Sequence, residues 1–599
     1  MTATETALPR WDLTNVFPSP TSPEYGAALQ KYRSDLDRLR AMFDEFGIGL
    51  ATGAHPQTDA DAIIEATNAV GTQADLLDNY LYCWTSTDSN DAAAASAYGE
   101  LEMVHAGYRA LVPRLTCWLG TMEIDPERAG PVLGDHAYIV RRAAIGAQHV
   151  MNAELEELAA AMQATGGAAW ARFRDENDAG LETTVVEDGV EKTISVTELD
   201  SWLTSADRER RRTAAMAQDR ARELAAPEFA SALNAIKGEA LALAKRRNWD
   251  SPLDWSLHIS AIDRDVLQAM FSAVESVHAE LHGFLRVKAG LLGITDMAHY
   301  DIQAPISADI PELTWEQCAN TTQRVLSGFS PRLARVVETA LSHQWVDVEP
   351  REGKVSGGYC ASMPGHGSRI LINFVPAFPT VQVLAHELGH AHHNECLTGR
   401  TALQKDTPMT LAETASMFAQ RLVEDAVLAE ASPGQQLIGL DQILSESASL
   451  LLDLHARFHF EEAIFELRKD RTISVAEFTD LMASKQRVAY GDGLAAGGVH
   501  KWQWVQKPHY YDTDFHFYNY PYQFGFLFAL GLLQIYRAEG EGFVDRYETL
   551  LSRTGMASAR QLANDFGIDI RDTAFWNGSV DVIRGDIARF TALADQKSL

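Results

Sequence analysis

A chain of 599 residues is several times the length of a typical single domain, and its 46% apolar and 22% charged residues are the proportions of a folded protein rather than a disordered one. The formal net charge of −31, from 82 acidic against 51 basic residues, repels a phosphate backbone over most of the surface and excludes nucleic acid as an expected partner. Such a field can draw in cationic peptides, but an acidic surface also serves solubility alone, so charge does not identify a substrate.

The first twenty residues have neither the basic start nor the apolar stretch of a signal peptide, which predicts a protein that stays in the cytoplasm. Leu29, Tyr32, Leu36, Leu39, Met42, Phe43 and Phe46 recur at the three-and-four spacing of one helix face, and patterns rich in Ala, Leu and Glu continue through 59–72, 92–121 and 152–175. The first third is therefore expected to be mostly helix pairs. At 183–196 two β-branched runs flank Asp188-Gly189, a dipeptide suited to a tight hairpin turn, and a domain junction is expected near there. Helices are predicted again over 196–204, 207–223 and 229–245.

From 353 to 374 glycines precede the β-favouring run 369–374, which reads as a strand or hairpin. Pro376 and Pro379 follow, with Thr380 expected to cap a helix over 381–394. The longest strongly apolar run, 524–533, falls short of the roughly 20 residues that cross a bilayer. It predicts a buried helix and no membrane span. Five cysteines, Cys83, Cys117, Cys318, Cys360 and Cys396, show no close pairing and predict no disulfide framework.

Within the predicted helix stands His386-Glu387-Leu388-Gly389-His390, an H-E-x-x-H motif. Residues four apart on a helix share a face, so both imidazoles can reach one ion at roughly 2.0 to 2.1 Å. Glu387, beside the first ligand, is set to take a proton from metal-bound water. A catalytic zinc needs a third protein ligand and an open position. Glu413, 23 residues beyond His390, is the candidate, on what should be a second helix packed against the first. Thr410 and Glu413 also spell a capping box, but Asp406, Thr407 and Pro408 start the helix earlier and free Glu413 to point inward. Glu395 and Glu424 are weaker candidates, the latter expected on a solvated face. His392 and His393 extend the cluster, with His393 read either as a support for Glu413 or as an ordinary buried histidine.

These residues resemble the oligoendopeptidase F group of the M3 zinc metallopeptidases, over most of the chain. The likeness begins at Trp11-Asp12-Leu13 with Phe17-Pro18, passes through the Asp188-Gly189 region and peaks at HELGHAHH with Ala412-Glu413. It implies a mainly α, elongated, zincin-like fold with a small β-sheet beside the active-site helix and a deep substrate channel. It also implies an N-terminal helical region over 1–200 and a catalytic domain over 201–599. Pro508-His509-Tyr510 and the stretch from Phe517 to Gly525 look like the family's C-terminal donor cluster, where histidine and tyrosine serve the tetrahedral intermediate. His509 and Tyr520 are the best matches, with Tyr518 and Tyr522 open as the tyrosine used. An aromatic core stripe is the competing reading. Gly357, Gly358 and Tyr359, with 369–374, resemble the family's edge strand beside the substrate, while His366 reads as a solvated loop residue.

The expectation is thus a metalloendopeptidase that cuts short peptides, with one Zn²⁺ per chain on His386, His390 and Glu413 and Glu387 as general base. No oligomeric state is assigned. An inactive peptide-binding relative of the same fold and a different zinc amidase are the alternatives.

Overall fold

The computed structural model describes residues 7–49, 57–122, 130–187, 189–307 and 311–597. The chain is mainly α, with five short strands in two small sheets among the described residues. No helix among them is long and apolar enough to cross a membrane. Residues 1–6 of the stretch read for a signal peptide, and Asp188 of the hairpin turn, lie outside the described residues.

By packing, the chain divides into two compact units, each built from three segments: 1–154, 311–427 and 535–567 in the first, 155–310, 428–534 and 568–599 in the second. The expected boundary at residue 200 falls inside the second unit. A chain that leaves a unit and returns to it gives no composition shift at the crossing, so a linear reading places one boundary where packing has several.

In the first unit, helices Pro23–Glu45, Gln57–Thr87 and Ala92–Arg109 bury Leu29, Tyr32, Leu36, Leu39, Phe43, Leu77 and Leu101 in one apolar core. The predicted 92–121 helix is two, broken before Pro113 and resumed as Val112–Gly120. Strands β3 (Val346–Asp347), β4 (Tyr359–Met363) and β5 (Gly367–Leu371) form a sheet in the order β3-β5-β4, with β5 parallel to β3 and antiparallel to β4. Met363-Pro364-Gly365-His366 makes the β4–β5 turn, in which His366 is half-buried and Gly365 adopts a φ of 81°. Buried Arg369 on β5 donates to the Asp12 carbonyl at 2.9 Å and to Asn15 Oδ1, so the N-terminal segment anchors the sheet.

In the second unit, strands β1 (Glu182–Glu187) and β2 (Val190–Ser195) pair antiparallel, with Glu187 opposite Val190 and Gly189 at a φ of 78°. The expected helix over 196–204 is a 3₁₀ segment, Glu198–Thr204. The two helices expected over 207–223 and 229–245 are one, Arg208–Arg246, running through Pro227. Alanine-rich flanks, with Ala226, Phe229, Leu233 and Ile236 buried in the core, outweigh the one amide that proline removes. The apolar run 524–533 is buried within helix Tyr520–Glu539.

Candidate metal centre

The motif helix spans Phe378–Cys396, with Pro379 in its first turn and Val381, Leu384, Ala385 and Leu388 buried. Its N-cap is Ala377 rather than Thr380. Thr380 sits inside the first turn instead, donating to the Val375 carbonyl at 2.6 Å and accepting from the Val375 amide at 3.0 Å. That latch fixes the entry of the helix from the sheet. Asn394, near the other end, donates to Ser368 Oγ on β5 at 3.1 Å.

His386 and His390 project from the same face, ring centroids 5.0 Å apart. Glu413 comes from a break between the short helix Met409–Ala412 and helix Thr414–Glu430, with φ −87° and ψ 2°. The capping reading of Thr410 is thus displaced: the short helix starts after Pro408 and Glu413 terminates it. Freed from the helix, Glu413 turns Oε2 to within 3.2 Å of His386 Nε2 and 3.3 Å of His390 Nε2. Two donors bound at 2.0–2.1 Å in tetrahedral geometry stand about 3.3 Å apart, so this donor set fits zinc. The three ligand atoms all lie within 4.8 Å of one another.

Supporting contacts that sequence reasoning missed surround this set. His386 Nδ1 meets Gln420 Oε1 at 3.0 Å, which directs the ring proton to Nδ1 and leaves Nε2 as the lone-pair donor. Gln420 Nε2 donates to Glu424 Oε1 at 2.9 Å, and Gln382 Nε2 donates to the same oxygen at 2.7 Å. Glu424, expected on a solvated face, is buried at the base of this chain because its two amide partners replace water. Ser416 Oγ donates to Glu413 Oε2 at 2.7 Å. The one available signal was spacing: Ser416, Gln420 and Glu424 recur every four residues after the break at Glu413.

Glu387 is buried, and its Oε2 has no hydrogen-bond partner among the described residues. Burial pushes its carboxyl pKa up, against the opposing charges of His386 and His390. A carboxylate so placed is a stronger base than one in water. For His386, burial works downward, but the bond to Glu413 and the charge of Glu387 outweigh it and lift the pKa to about 9. His393 bonds Thr554 Oγ1 at 2.8 Å and His392 bonds Glu548 at 3.2 Å, so neither supports Glu413 directly. Burial holds His393 neutral, its pKa pushed down to about 3, as for an ordinary buried histidine. Glu395 is exposed.

The remaining candidates lie in the second unit. His509, in the 3₁₀ turn Pro508–Tyr511, accepts at Nδ1 from the Arg457 guanidinium at 2.6 Å. Burial first, then that guanidinium, pushes its pKa down to about 4, so the ring is neutral and Nε2 carries the proton. Its ring stacks on Tyr518 with centroids 4.7 Å apart, and Tyr518 neighbours Tyr522 at 5.8 Å. His509 and Tyr518 line a cleft of about 360 Å³ with Asp175, Asp512 and Asp514. Tyr520, the best sequence match among the tyrosines, requires correction. It is fully buried, donating to Ser260 Oγ at 2.8 Å and lying 3.1 Å from Ser256 Oγ, so its hydroxyl is used inside the core. Tyr518 and Tyr522 are the half-buried ones.

The chain is similar to known proteins in sequence and in fold. Residues 201–581 match the family model of Peptidase family M3, and 129–182 match that of Oligopeptidase F. The chain is 21% identical over 606 residues to an oligoendopeptidase F homolog of Lactococcus lactis subsp. lactis (strain IL1403), covering 98% of this chain and 97% of that protein. It is 22% identical over 432 residues to oligopeptidase PepF of Bacillus subtilis (strain 168), covering 70% and 63%. The structure resembles that of oligoendopeptidase-F from Enterococcus faecium, with a TM-score of 0.68 at 16% identity over 96% of this chain and 99% of that one.

Proposed function

This chain belongs to peptidase family M3 and is a metalloendopeptidase, and from that premise we propose that it hydrolyses short peptides using one zinc ion held by His386, His390 and Glu413, with Glu387 as general base. The observation that carries this reading is the spacing at Glu413 Oε2, 3.2 and 3.3 Å from two imidazole nitrogens, which is the separation of neighbouring ligands on one tetrahedral ion. When bound, such an ion lowers the pKa of its water towards about 7 and polarises a carbonyl oxygen.

The chain's own residues have distinct tasks. Glu387 accepts the proton of the attacking water on a carboxylate oxygen and returns it to the leaving amine, a role supported by its desolvation and its unpartnered Oε2. Gln420 keeps His386 in the tautomer that ligates. For the developing oxyanion we assign the Nε2–H of His509 and the hydroxyl of Tyr518, with Tyr522 as the alternative hydroxyl. The bond from Arg457 supports His509 as a neutral donor, and preorganised donors of this kind stabilise negative charge as it forms.

Digestion of a mixed peptide pool followed by mass spectrometry tests the reading. Expected is internal cleavage confined to short peptides, abolished by a chelator and restored by Zn²⁺. Cleavage indifferent to the chelator would remove the metal from the mechanism. Absence of cleavage by zinc-loaded protein would favour the peptide-binding alternative.

A further inference from the structure

Among the described residues a second group of side chains has the composition and spacing of a metal site, and all of it lies in the second unit. His455 and His459 are four apart on helix Leu454–Arg468, and Glu275 ends the neighbouring helix Arg264–Ser276. His455 Nε2 lies 3.2 Å from His459 Nε2 and 3.4 Å from Glu275 Oε1, and one ligand atom from each of the three falls within 4.8 Å of the others. These separations repeat those at Glu413.

Three further observations bear on this group. His459 Nδ1 is bound to Glu462 Oε2 at 3.1 Å, the carboxylate–imidazole arrangement that holds a ligating ring in place and leaves Nε2 free to donate. His455 Nδ1 and, on the adjoining ring, His278 Nε2 are buried with no hydrogen-bond partner among the described residues. An ion held on His455 Nε2 does not reach the Nδ1 of the same ring, so these nitrogens mark a place for a buried water and are not ligand atoms of the site. The helix that carries both histidines is preceded by a π-helical turn, Ser449–Asp453, whose Leu450 carbonyl takes a bond from Gln523 Nε2 at 2.8 Å. Such turns are rare and concentrate at functional sites; just beyond this one, His455 packs edge-on to Phe271 at 4.9 Å. A merely packed histidine pair would need neither the aligned carboxylates nor the π turn.

We propose that His455, His459 and Glu275 form a second divalent transition-metal site, with Glu462 positioning His459, which ties helix Arg264–Ser276 to helix Leu454–Arg468. Two imidazoles and a carboxylate suit zinc or a neighbouring first-row ion. Glu275 is 58% exposed, so ion entry is from solvent. The site is independent of the catalytic assignment and does not rest on it.

Equilibrium dialysis against Zn²⁺ alone, with metal analysis, tests this on the full chain. In the His386→Ala/His390→Ala protein one equivalent is expected to remain bound and to raise the thermal midpoint. Adding His459→Gln or Glu275→Gln, both partly exposed positions at which the fold should survive, is expected to weaken that equivalent by more than about a hundredfold, beyond the 10–100-fold of an outer-shell change. Glu462→Gln should weaken it within that smaller range. Circular dichroism reports folding in each variant. No retained zinc in the His386→Ala/His390→Ala protein, or retention unaffected by His459→Gln and Glu275→Gln in folded protein, would overturn the proposal.

Discussion

Gly389 lies against the carbonyl of Ala415 so closely that a Cβ at Gly389 would stand 2.5 Å from that oxygen and 2.7 Å from the Cα of Ser416. This contact between two backbones sets the distance from the motif helix to the segment that carries Glu413. The letter x of the motif is therefore a packing position as well as a spacer.

Gly389→Ala is expected to force the two segments apart and loosen the ligand set. A displacement approaching 1 Å at a reacting centre costs about a hundredfold in rate. Zinc affinity and kcat/KM should both fall by about that factor while circular dichroism shows folded protein; wild-type affinity in this variant would show that the approach is not needed.

Gln420→Ala removes the acceptor that holds the His386 Nδ1 proton and leaves Glu424 with one fewer amide. A loss of about 10–100-fold in zinc affinity is expected, as for other supporting residues around metal ligands. Competition with a chromophoric chelator measures it.

Tyr518→Phe and Tyr520→Phe should part company. If Tyr518 supplies the oxyanion donor, its loss lowers kcat by about a hundredfold or more with little change in KM. Tyr520→Phe instead removes a buried hydrogen bond to the Ser256 and Ser260 hydroxyls and should cost about 1–3 kcal/mol of stability, read from denaturant unfolding. The reverse pattern would return the catalytic assignment to Tyr520.

Stability should depend on His299 and His500, whose rings stack at 4.4 Å. Burial pushes the His299 pKa down to about 4 and that of His500 well below its usual value. The unfolded chain binds protons at these rings below about pH 6.5 while the folded one refuses them, so stability is full above pH 6.5 and lost as pH falls towards 4. Thermal midpoints between pH 7 and pH 5 should decline, and His500→Asn should flatten the decline. An unchanged slope would mean that these rings protonate in the folded protein.

Much of the centre was legible because an i, i+4 pair of histidines is a statement about one helix face, needing no knowledge of the rest of the fold. Glu413 was reachable because Pro408 marks the start of its element. Gln420 and Glu424 were not, since a glutamine or glutamate on a helix reads as solvated unless its partner is known, and here Gln382 on another helix supplies that partner. The burial of Tyr520 was illegible for a related reason: a Tyr-rich helix start does not say which hydroxyl faces a serine pair. The gap expected between 223 and 229 is absent because packing on both sides of Pro227 carries one helix through it.

The central claim is that Glu387 moves the proton while His386, His390 and Glu413 hold the ion, and Glu387→Gln separates the two roles most directly. Zinc content and peptide turnover measured on one preparation of that variant should give one catalytic equivalent of metal and nearly complete loss of cleavage. Full cleavage with glutamine in that position would contradict it.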